Sequence, residues 1–104
     1  MFAHYYFVRT IRLMEISFDP VKNARNVKER GLSFERAAEF DFESALFDAD
    51  TRHDYGEART RAFGYLDGRL HVLVFTETAD GIRIISLRKA NIREVKRYEQ
   101  ATKA

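Results

Sequence analysis

The spacing of apolar side chains predicts a short strand and then a helix near the start of the chain. Residues 14–18 alternate apolar and polar side chains, as a half-buried strand does. Asp19 and Pro20 favour a helix start, since Asp is a preferred N-cap and Pro a preferred first helical residue. Gly31 is placed to end that helix after residue 30. Apolar residues three apart would share one face of this helix: Val21, Ala24 and Val27.

A second, shorter helix and a short strand are predicted next. Ser33 is a favourable N-cap for a helix over residues 34–40. Three of its side chains would face the core: Phe34, Ala37 and Ala38. Residues 45–47 form a short strand candidate, and the polar stretch 48–56 is predicted to be a loop.

The second half of the chain shows the pattern of an antiparallel meander that begins at Glu57. One face of its first strand would carry four side chains: Arg59, Arg61, Phe63 and Tyr65. Asp67-Gly68 is a strong hairpin signal, because a type I′ turn needs a positive φ at both central positions. Further strands are predicted over residues 69–76 and 82–87, and a final helix over residues 90–100.

The elements run β-α-α-β-β-β-β-α, which predicts an α+β fold with an antiparallel sheet and helices packed on one face. A length of 104 residues suits one domain. We predict this domain over residues 14–104, with Met14 as the natural start, and an N-terminal extension over residues 1–13. The apolar run in that extension is short and no positive segment precedes it, so it is a poor signal peptide.

Composition narrows the class of protein. The chain has no cysteine, which excludes a disulfide scaffold and a thiolate metal site. No stretch approaches the roughly 20 apolar residues of a membrane helix, and we expect a cytoplasmic protein. The net charge is only +2, but residues 52–104 hold 11 Lys and Arg against 7 Asp and Glu. A basic half suits a polyanion or an acidic partner, although it is also typical of an ordinary solvated surface.

Several kinds of chemistry lack a motif in this sequence. The histidines have no metal-ligand spacing: His4, His53 and His71. The acidic residues between 48 and 54 lack the glycine and terminal Glu of a calcium loop. The chain contains neither a GxSxG nucleophile motif nor a glycine-rich phosphate loop. We therefore predict no metal and no cofactor.

The remaining candidate chemistry is a group of basic side chains in the meander: Arg59, Arg61, Arg69, Arg83, Arg88 and Lys89. The planar guanidinium suits phosphate and stays charged when partly desolvated. Glu57 lies two residues before Arg59, so the two side chains could form an ion pair or a base beside a phosphate-binding group. Tyr55 and Phe63 could stack on bases or belong to the core. These residues leave open a nucleic-acid-acting enzyme and a non-catalytic interaction module.

Three segments together resemble the BrnT family of toxins. The first contains Phe18-Asp19-Pro20, Lys22, Asn26, Arg30-Gly31, Phe34 and Ala37. The second contains Arg52, Tyr55-Gly56-Glu57, Arg59 and Gly64. The third contains Arg83-Ile84-Ile85-Ser86, Arg88-Lys89-Ala90, Glu94 and Tyr98. The resemblance runs from about residue 14 to residue 98.

The resemblance implies a RelE-like fold and the ribonuclease toxin of a type II toxin–antitoxin system, which cleaves RNA to arrest translation and growth. It also implies a BrnA-like antitoxin with a ribbon-helix-helix DNA-binding domain. Such an antitoxin would neutralise the toxin and contact operator DNA, so that the complex represses its own operon.

On this interpretation we expect metal-independent RNA cleavage at an arginine-rich site, because positioning and fixed positive charge can supply most of the catalysis. The candidates for holding the phosphate are Arg59, Arg69, Arg83 and Arg88. Glu57 is the candidate general base, Ser86 a candidate hydrogen-bond donor and His71 a weaker candidate acid. The candidates for RNA binding are Tyr55, Arg61 and Lys89.

Two other classes of protein stay open. A non-catalytic module that only partners a DNA-binding antitoxin could dock it through a Phe-rich stretch: Phe34, Phe40, Phe42 and Phe47. A DNA-binding module could use the basic residues around the last helix: Lys89, Arg93, Lys96 and Arg97. The second class is less favoured, because the sequence has no helix-turn-helix or zinc pattern.

Overall fold

Five strands form one sheet in the order β1-β5-β4-β3-β2 in the computed structural model, which describes residues 15–103. The strands are β1 (Glu15–Phe18), β2 (Leu46–Ala49), β3 (Thr60–Leu66), β4 (Arg69–Glu77) and β5 (Gly81–Lys89). The helices are α1 (Pro20–Arg30), a 3-10 helix (Phe34–Glu39) and α2 (Ile92–Thr102). This confirms the α+β class and the order of elements. The predicted extension over residues 1–13 and the start at Met14 lie outside the described residues.

The sheet is mixed, so the prediction of a purely antiparallel sheet is wrong. β1 pairs with β5 in parallel, from Glu15 opposite Gly81 to Phe18 opposite Ile84. The other three strand pairs are antiparallel. Alternation of apolar and polar residues determines which face a side chain occupies, but it carries no information about the direction of the neighbouring strand.

The helices cover both faces of the sheet, which corrects the prediction that they share one face. One core packs residues of the 3-10 helix region against the sheet, among them Phe34, Ala37, Leu73, Phe75 and Leu87. A second core lies on the opposite face, where two residues of α2 pack with three of β4: Val95 and Tyr98 with Leu70, Val72 and Val74. The central strand β4 is buried from residue 70 to residue 76. A strand buried on both sides needs a cover on each face.

Helix α1 is attached through amide side chains, and its apolar stripe faces solvent. Val21 is 66% exposed and Val27 is 45% exposed. The buried residue is Asn26, whose Nδ2 donates to the carbonyl oxygens of Leu32 and Leu87, each at 2.9 Å. β1 ends opposite Ile84. Asn26 therefore satisfies the edge of β5 at Leu87, beyond the point where β1 stops pairing.

The turns and caps follow the local sequence signals. Asp67 and Gly68 have φ values of 53° and 72°, which confirms the predicted type I′ hairpin between β3 and β4. Asp19 caps α1 by accepting from the backbone N–H of Val21 at 2.9 Å. Gly31, at φ 68°, ends the helix by donating to the Val27 carbonyl. The hairpin sets the register of β3 and β4, and the two caps determine where α1 starts and stops.

Candidate functional site

Three charged side chains meet on the sheet face that α2 partly covers, and we call them the Glu57 cluster: Glu57, Arg59 and Arg83. Arg83 Nη2 donates to both carboxylate oxygens of Glu57, at 2.9 Å and 3.0 Å. Arg59 Nε donates to Glu57 Oε2 at 3.1 Å. A single carboxylate therefore holds two guanidinium groups side by side. The ion pair predicted between Glu57 and Arg59 is present, and it includes Arg83 as a third member.

The strand register brings the cluster together from distant parts of the chain. Arg83 in β5 lies opposite Thr76 in β4. The Thr76 hydroxyl donates to the Ala58 carbonyl at 2.8 Å, so the segment that leads into β3 is fastened over the end of β4. Arg59 lies one residue before β3, and its carbonyl accepts from the Asp50 N–H at 2.8 Å, which continues the pairing of β2 with β3. This extended backbone places Arg59 on the same face as Arg61.

Asp50 holds the loop that contains Arg52 and Tyr55, and the Tyr55 ring packs against Arg59. The Asp50 carboxylate accepts from Arg52 Nε and Nη2, each at 2.9 Å, and from the Tyr55 hydroxyl at 3.4 Å. The guanidinium carbon of Arg59 lies 3.9 Å from the centroid of the Tyr55 ring, a cation–π distance. Sequence reasoning had singled out Arg52 and Tyr55, but it weighed Asp50 only as one of the acidic residues of a possible calcium loop and did not predict its role here. The only signal was its position two residues before Arg52 in a polar loop, which is typical of an ordinary turn.

Neighbouring arginines lower the pKa of two carboxyl groups, that of Asp50 in the loop and that of Glu57 in the cluster. Hydrogen bonds from Arg52 hold the pKa of the Asp50 carboxyl well below its usual range, and only 1% of this side chain is exposed. The hydrogen bond from Arg59, and then the bond and charge of Arg83, lower the pKa of Glu57. Glu57 is therefore ionised at neutral pH, and the cluster carries a net charge of +1. Since 43% of the Arg83 side chain is exposed, an anion has access to it.

Arg61 and Arg88 share the face of the cluster but are held by other carboxylates. Arg61 forms a two-pronged ion pair with Asp48 of β2, with both bonds at 2.8 Å. Arg88 pairs with Glu94 at 2.8 Å and 2.9 Å, and Glu94 also belongs to the capping box that starts α2. By strand register Arg88 lies roughly 13 Å along the sheet from Arg83. Arg61 therefore ties β3 to β2, and Arg88 ties β5 to α2.

The other predicted site residues fall outside the cluster. Arg69 pairs with Leu66 beside the hairpin, roughly 23 Å along β4 from the residue opposite Arg83. Its strand parity also places it on the opposite face, with Leu66. Lys89 ends β5 opposite His71. Ser86 lies part-way along β5 and lines a cleft beside α1.

The two described histidines occupy different environments. His71 is buried, and its Nδ1 lies 2.7 Å from the Arg69 carbonyl, away from the Glu57 cluster. His53 stands edge-on to Tyr55, with ring centroids 5.6 Å apart, and so borders the loop that supports Arg59. Sequence reasoning did not single out His53.

Within residues 15–103, no three His, Cys, Asp or Glu side chains are grouped so that they could hold a metal ion. Over the same range, no helix is long and apolar enough to cross a membrane.

The Phe-rich stretch belongs mainly to the core. Phe34, Phe40 and Phe42 are each at most 5% exposed, and Phe47 packs against the same cluster. These rings are therefore engaged in folding. The apolar surface that remains open near Phe47 is a cleft of about 310 Å³ between β2 and α2, whose lining includes Leu46, Phe63 and Tyr98.

Comparison with known proteins identifies one family. The model of the family described as "Ribonuclease toxin, BrnT, of type II toxin-antitoxin system" matches residues 18–94. The matched range includes α1, β2 to β5 and every member of the Glu57 cluster, but only the last residue of β1. No curated protein matches the chain.

Proposed function

Since this chain belongs to the BrnT family of ribonuclease toxins of type II toxin–antitoxin systems, we propose that its Glu57 cluster is the site of RNA cleavage. The observation that carries the proposal is the convergence of Arg59 and Arg83 on one carboxylate at an accessible face. A site with two guanidinium groups and a net positive charge suits a phosphodiester.

The proposed reaction is transesterification at phosphorus without a metal ion. The 2′-oxygen of a ribose attacks the neighbouring phosphorus, the bond to the 5′-oxygen breaks, and a 2′,3′-cyclic phosphate forms. Glu57 accepts the proton of the 2′-hydroxyl, and a water molecule donates a proton to the departing 5′-oxygen. The protonated Glu57 then returns its proton to the hydroxide that is left. Arg59 and Arg83 neutralise the charge that develops on the phosphoryl oxygens, which is the largest contribution such a site can make.

Glu57 has a second role in this proposal, because its low pKa makes it a weak base. In the absence of substrate it holds the two guanidinium groups at the spacing that a phosphate requires. An entering phosphate takes over part of those hydrogen bonds and frees the carboxylate to act on the 2′-hydroxyl. Tyr55 keeps Arg59 in place and could also stack on a base.

A type II toxin has an antitoxin, and we propose a BrnA-like protein with a ribbon-helix-helix domain. This partner would neutralise the toxin and contact operator DNA, so that the complex represses the operon. Because the proposed substrate is cellular RNA, we also propose that the toxin acts in the cytoplasm. The open cleft between β2 and α2 favours one rival function, a module that binds the antitoxin without cleaving RNA.

Induced expression in a bacterial host separates the two functions. We would compare the wild-type chain with Arg59→Ala/Arg83→Ala and with a charge-matched control, Lys28→Ala/Lys103→Ala, at exposed positions outside the cluster. We expect growth arrest and loss of intact RNA with the wild type and the control, and neither with the cluster variant. Arrest without RNA loss, or no arrest from a folded wild-type chain, would favour the binding module.

A further inference from the structure

Two linked clefts form a groove between α1 and β5. The first has a volume of about 410 Å³ and is lined by residues around the β1–α1 junction and by Arg83. The second has a volume of about 310 Å³ and runs beside α1 as far as Arg30 and Ser86. Both are lined by Lys22 and Ile85, where they meet. We call the combined surface the α1 groove.

The α1 groove is positively charged. Its lining contains four cationic side chains, Lys22, Arg25, Arg30 and Arg83, and two carboxylates, Asp19 and Glu29. The resulting net charge is +2. Asp19 is already engaged as the N-cap of α1. Lys22 and Arg25 make no ion pair among residues 15–103, so both are available to an anionic ligand.

The groove opens directly from the Glu57 cluster. Arg83 donates to Glu57 and also lines the first cleft. From there the groove follows α1, and Lys22 and Arg30 are separated by roughly 12 Å of helix. Phe18 and Ile85 supply apolar surface, and Ser86 lies in the second cleft. Proteins that bind single-stranded nucleic acids combine a positively charged groove, which follows the backbone, with aromatic side chains on which bases stack. Phe18 is an aromatic side chain that lines this groove.

We propose that the α1 groove binds the RNA strand next to the cleaved bond, with backbone phosphates held by Lys22 and Arg25. This inference rests on the proposed ribonuclease function and extends it to a specific surface. An acidic protein segment is the other chemistry that the charge would suit. RNA is favoured because the groove is continuous with a cluster suited to phosphate, so that one strand can occupy both.

The test measures binding of a fluorescent 12-nucleotide 2′-O-methyl RNA to the purified full chain. This probe lacks the attacking hydroxyl, so binding is observed without cleavage. We would compare the wild type, Lys22→Gln/Arg25→Gln and Lys28→Gln/Lys103→Gln at several salt concentrations. Lys28 lies on the same helix but does not line the groove, so the last variant controls for the loss of two charges.

We expect the groove variant to bind roughly tenfold more weakly, because each phosphate contact contributes a few-fold at moderate salt. The slope of log Kd against log salt should become shallower by about 1.4, the loss of two contacts to a single strand. The Lys28/Lys103 control should bind like the wild type. Equal binding by the groove variant and the wild type would overturn the proposal. A wild-type chain that ignores the RNA but binds a poly-glutamate peptide through Lys22 and Arg25 would also overturn it.

Cleavage of an unmodified dinucleotide distinguishes failure of this proposal from failure of the ribonuclease function. A dinucleotide has a single internucleotide phosphate, which the Glu57 cluster would hold, so it reaches less of the groove than a longer strand does. We expect the groove substitutions to slow cleavage of the 12-nucleotide RNA much more than cleavage of the dinucleotide. If both substrates are cleaved equally by the wild type and the variant, the groove assignment is wrong and the Glu57 cluster remains the proposed site.

Discussion

Asn26→Ala is predicted to be among the most damaging single substitutions in α1. Asn26 is 6% exposed, and its side chain joins three parts of the fold. Nδ2 donates to the Leu32 and Leu87 carbonyls at 2.9 Å each, and Oδ1 accepts from Arg30 at 3.1 Å. Alanine would leave two carbonyl oxygens without their donor and would detach α1 from the edge of β5.

The expected cost follows from these contacts. A buried polar group that loses its partner costs about 1–3 kcal/mol. Because a carbonyl can recover part of this by contact with water near the edge of the sheet, we expect a total loss of about 2–4 kcal/mol for the two acceptors. Asn26→Asp should be worse, since it replaces the donor with a carboxylate that faces two carbonyl oxygens.

Urea unfolding followed by circular dichroism measures this loss. With an m-value of about 1.5 kcal/mol per molar urea, the midpoint should fall by roughly 1.3–2.7 M and the slope should stay unchanged. Val27→Ala, at a residue that is 45% exposed on the same helix, serves as the control and should cost less than about 1 kcal/mol. A cost below about 1 kcal/mol for Asn26→Ala would refute the assignment of Asn26 as the attachment point of α1.

Three further predictions concern the core, the loop and the pH profile. Gly64→Ala should destabilise the fold by about 1–3 kcal/mol in the same assay, because a Cβ there would lie 2.7 Å from the buried Phe40 ring; no change would show that the ring can move aside. Asp50→Asn should loosen the loop and speed trypsin cleavage after Arg52 about tenfold, equivalent to about 1.4 kcal/mol of local stability, whereas an unchanged rate would contradict its anchoring role. Because the pKa of Glu57 in the free enzyme lies below its ordinary value of 4.5, more than half of this carboxylate stays ionised as the pH falls from neutral to 4.5, and kcat/KM for RNA cleavage, which reports the free enzyme, should fall by less than half over that range. A decline centred near pH 6.5, the usual pKa of a histidine, would instead indicate a histidine base.

Much of the fold could be predicted because its signals are local. Asp67-Gly68 requires a hairpin, and the structure has one with both φ values positive. Asp19-Pro20 and Gly31 mark the ends of α1, and the helix runs between them. The shared face of Arg59 and Arg61 followed from the two-residue period of a strand. In each case the physical cause lies within a few residues of the feature.

The features that sequence reasoning missed depend on contacts between distant segments. The parallel pairing of β1 with β5 joins residues about 66 positions apart, and no local pattern encodes that direction. The apolar stripe of α1 was expected to lie on one face, but that face is exposed because the helix is attached to a strand edge by Asn26. Residues 70–75 in β4 are all apolar except His71, and this nearly continuous run was the available signal that both faces of the sheet would be covered.

Only the part of the candidate site that depends on local contacts could be predicted from the sequence. Arg59 and Glu57 are close in sequence, so their pairing could be anticipated, whereas Arg83 reaches them only through the register of β4 and β5. Arg69 and Arg88 have the same chemistry as Arg83, but their positions along the strands separate them from the cluster. Residue type alone could not distinguish these arginines, because the distinction lies in strand parity and in the carboxylates that each one meets.

The central claim is tested most directly by RNA cleavage with purified protein. We would incubate a labelled RNA, alone and on translating ribosomes, with the wild type, Arg59→Gln/Arg83→Gln and the charge-matched Lys28→Gln/Lys103→Gln control, after checking that all three are folded. We predict products that end in a 2′,3′-cyclic phosphate, lost by at least about a hundredfold in the cluster variant and retained in the control. Undiminished cleavage by the cluster variant would contradict the assignment of the Glu57 cluster as the site of cleavage.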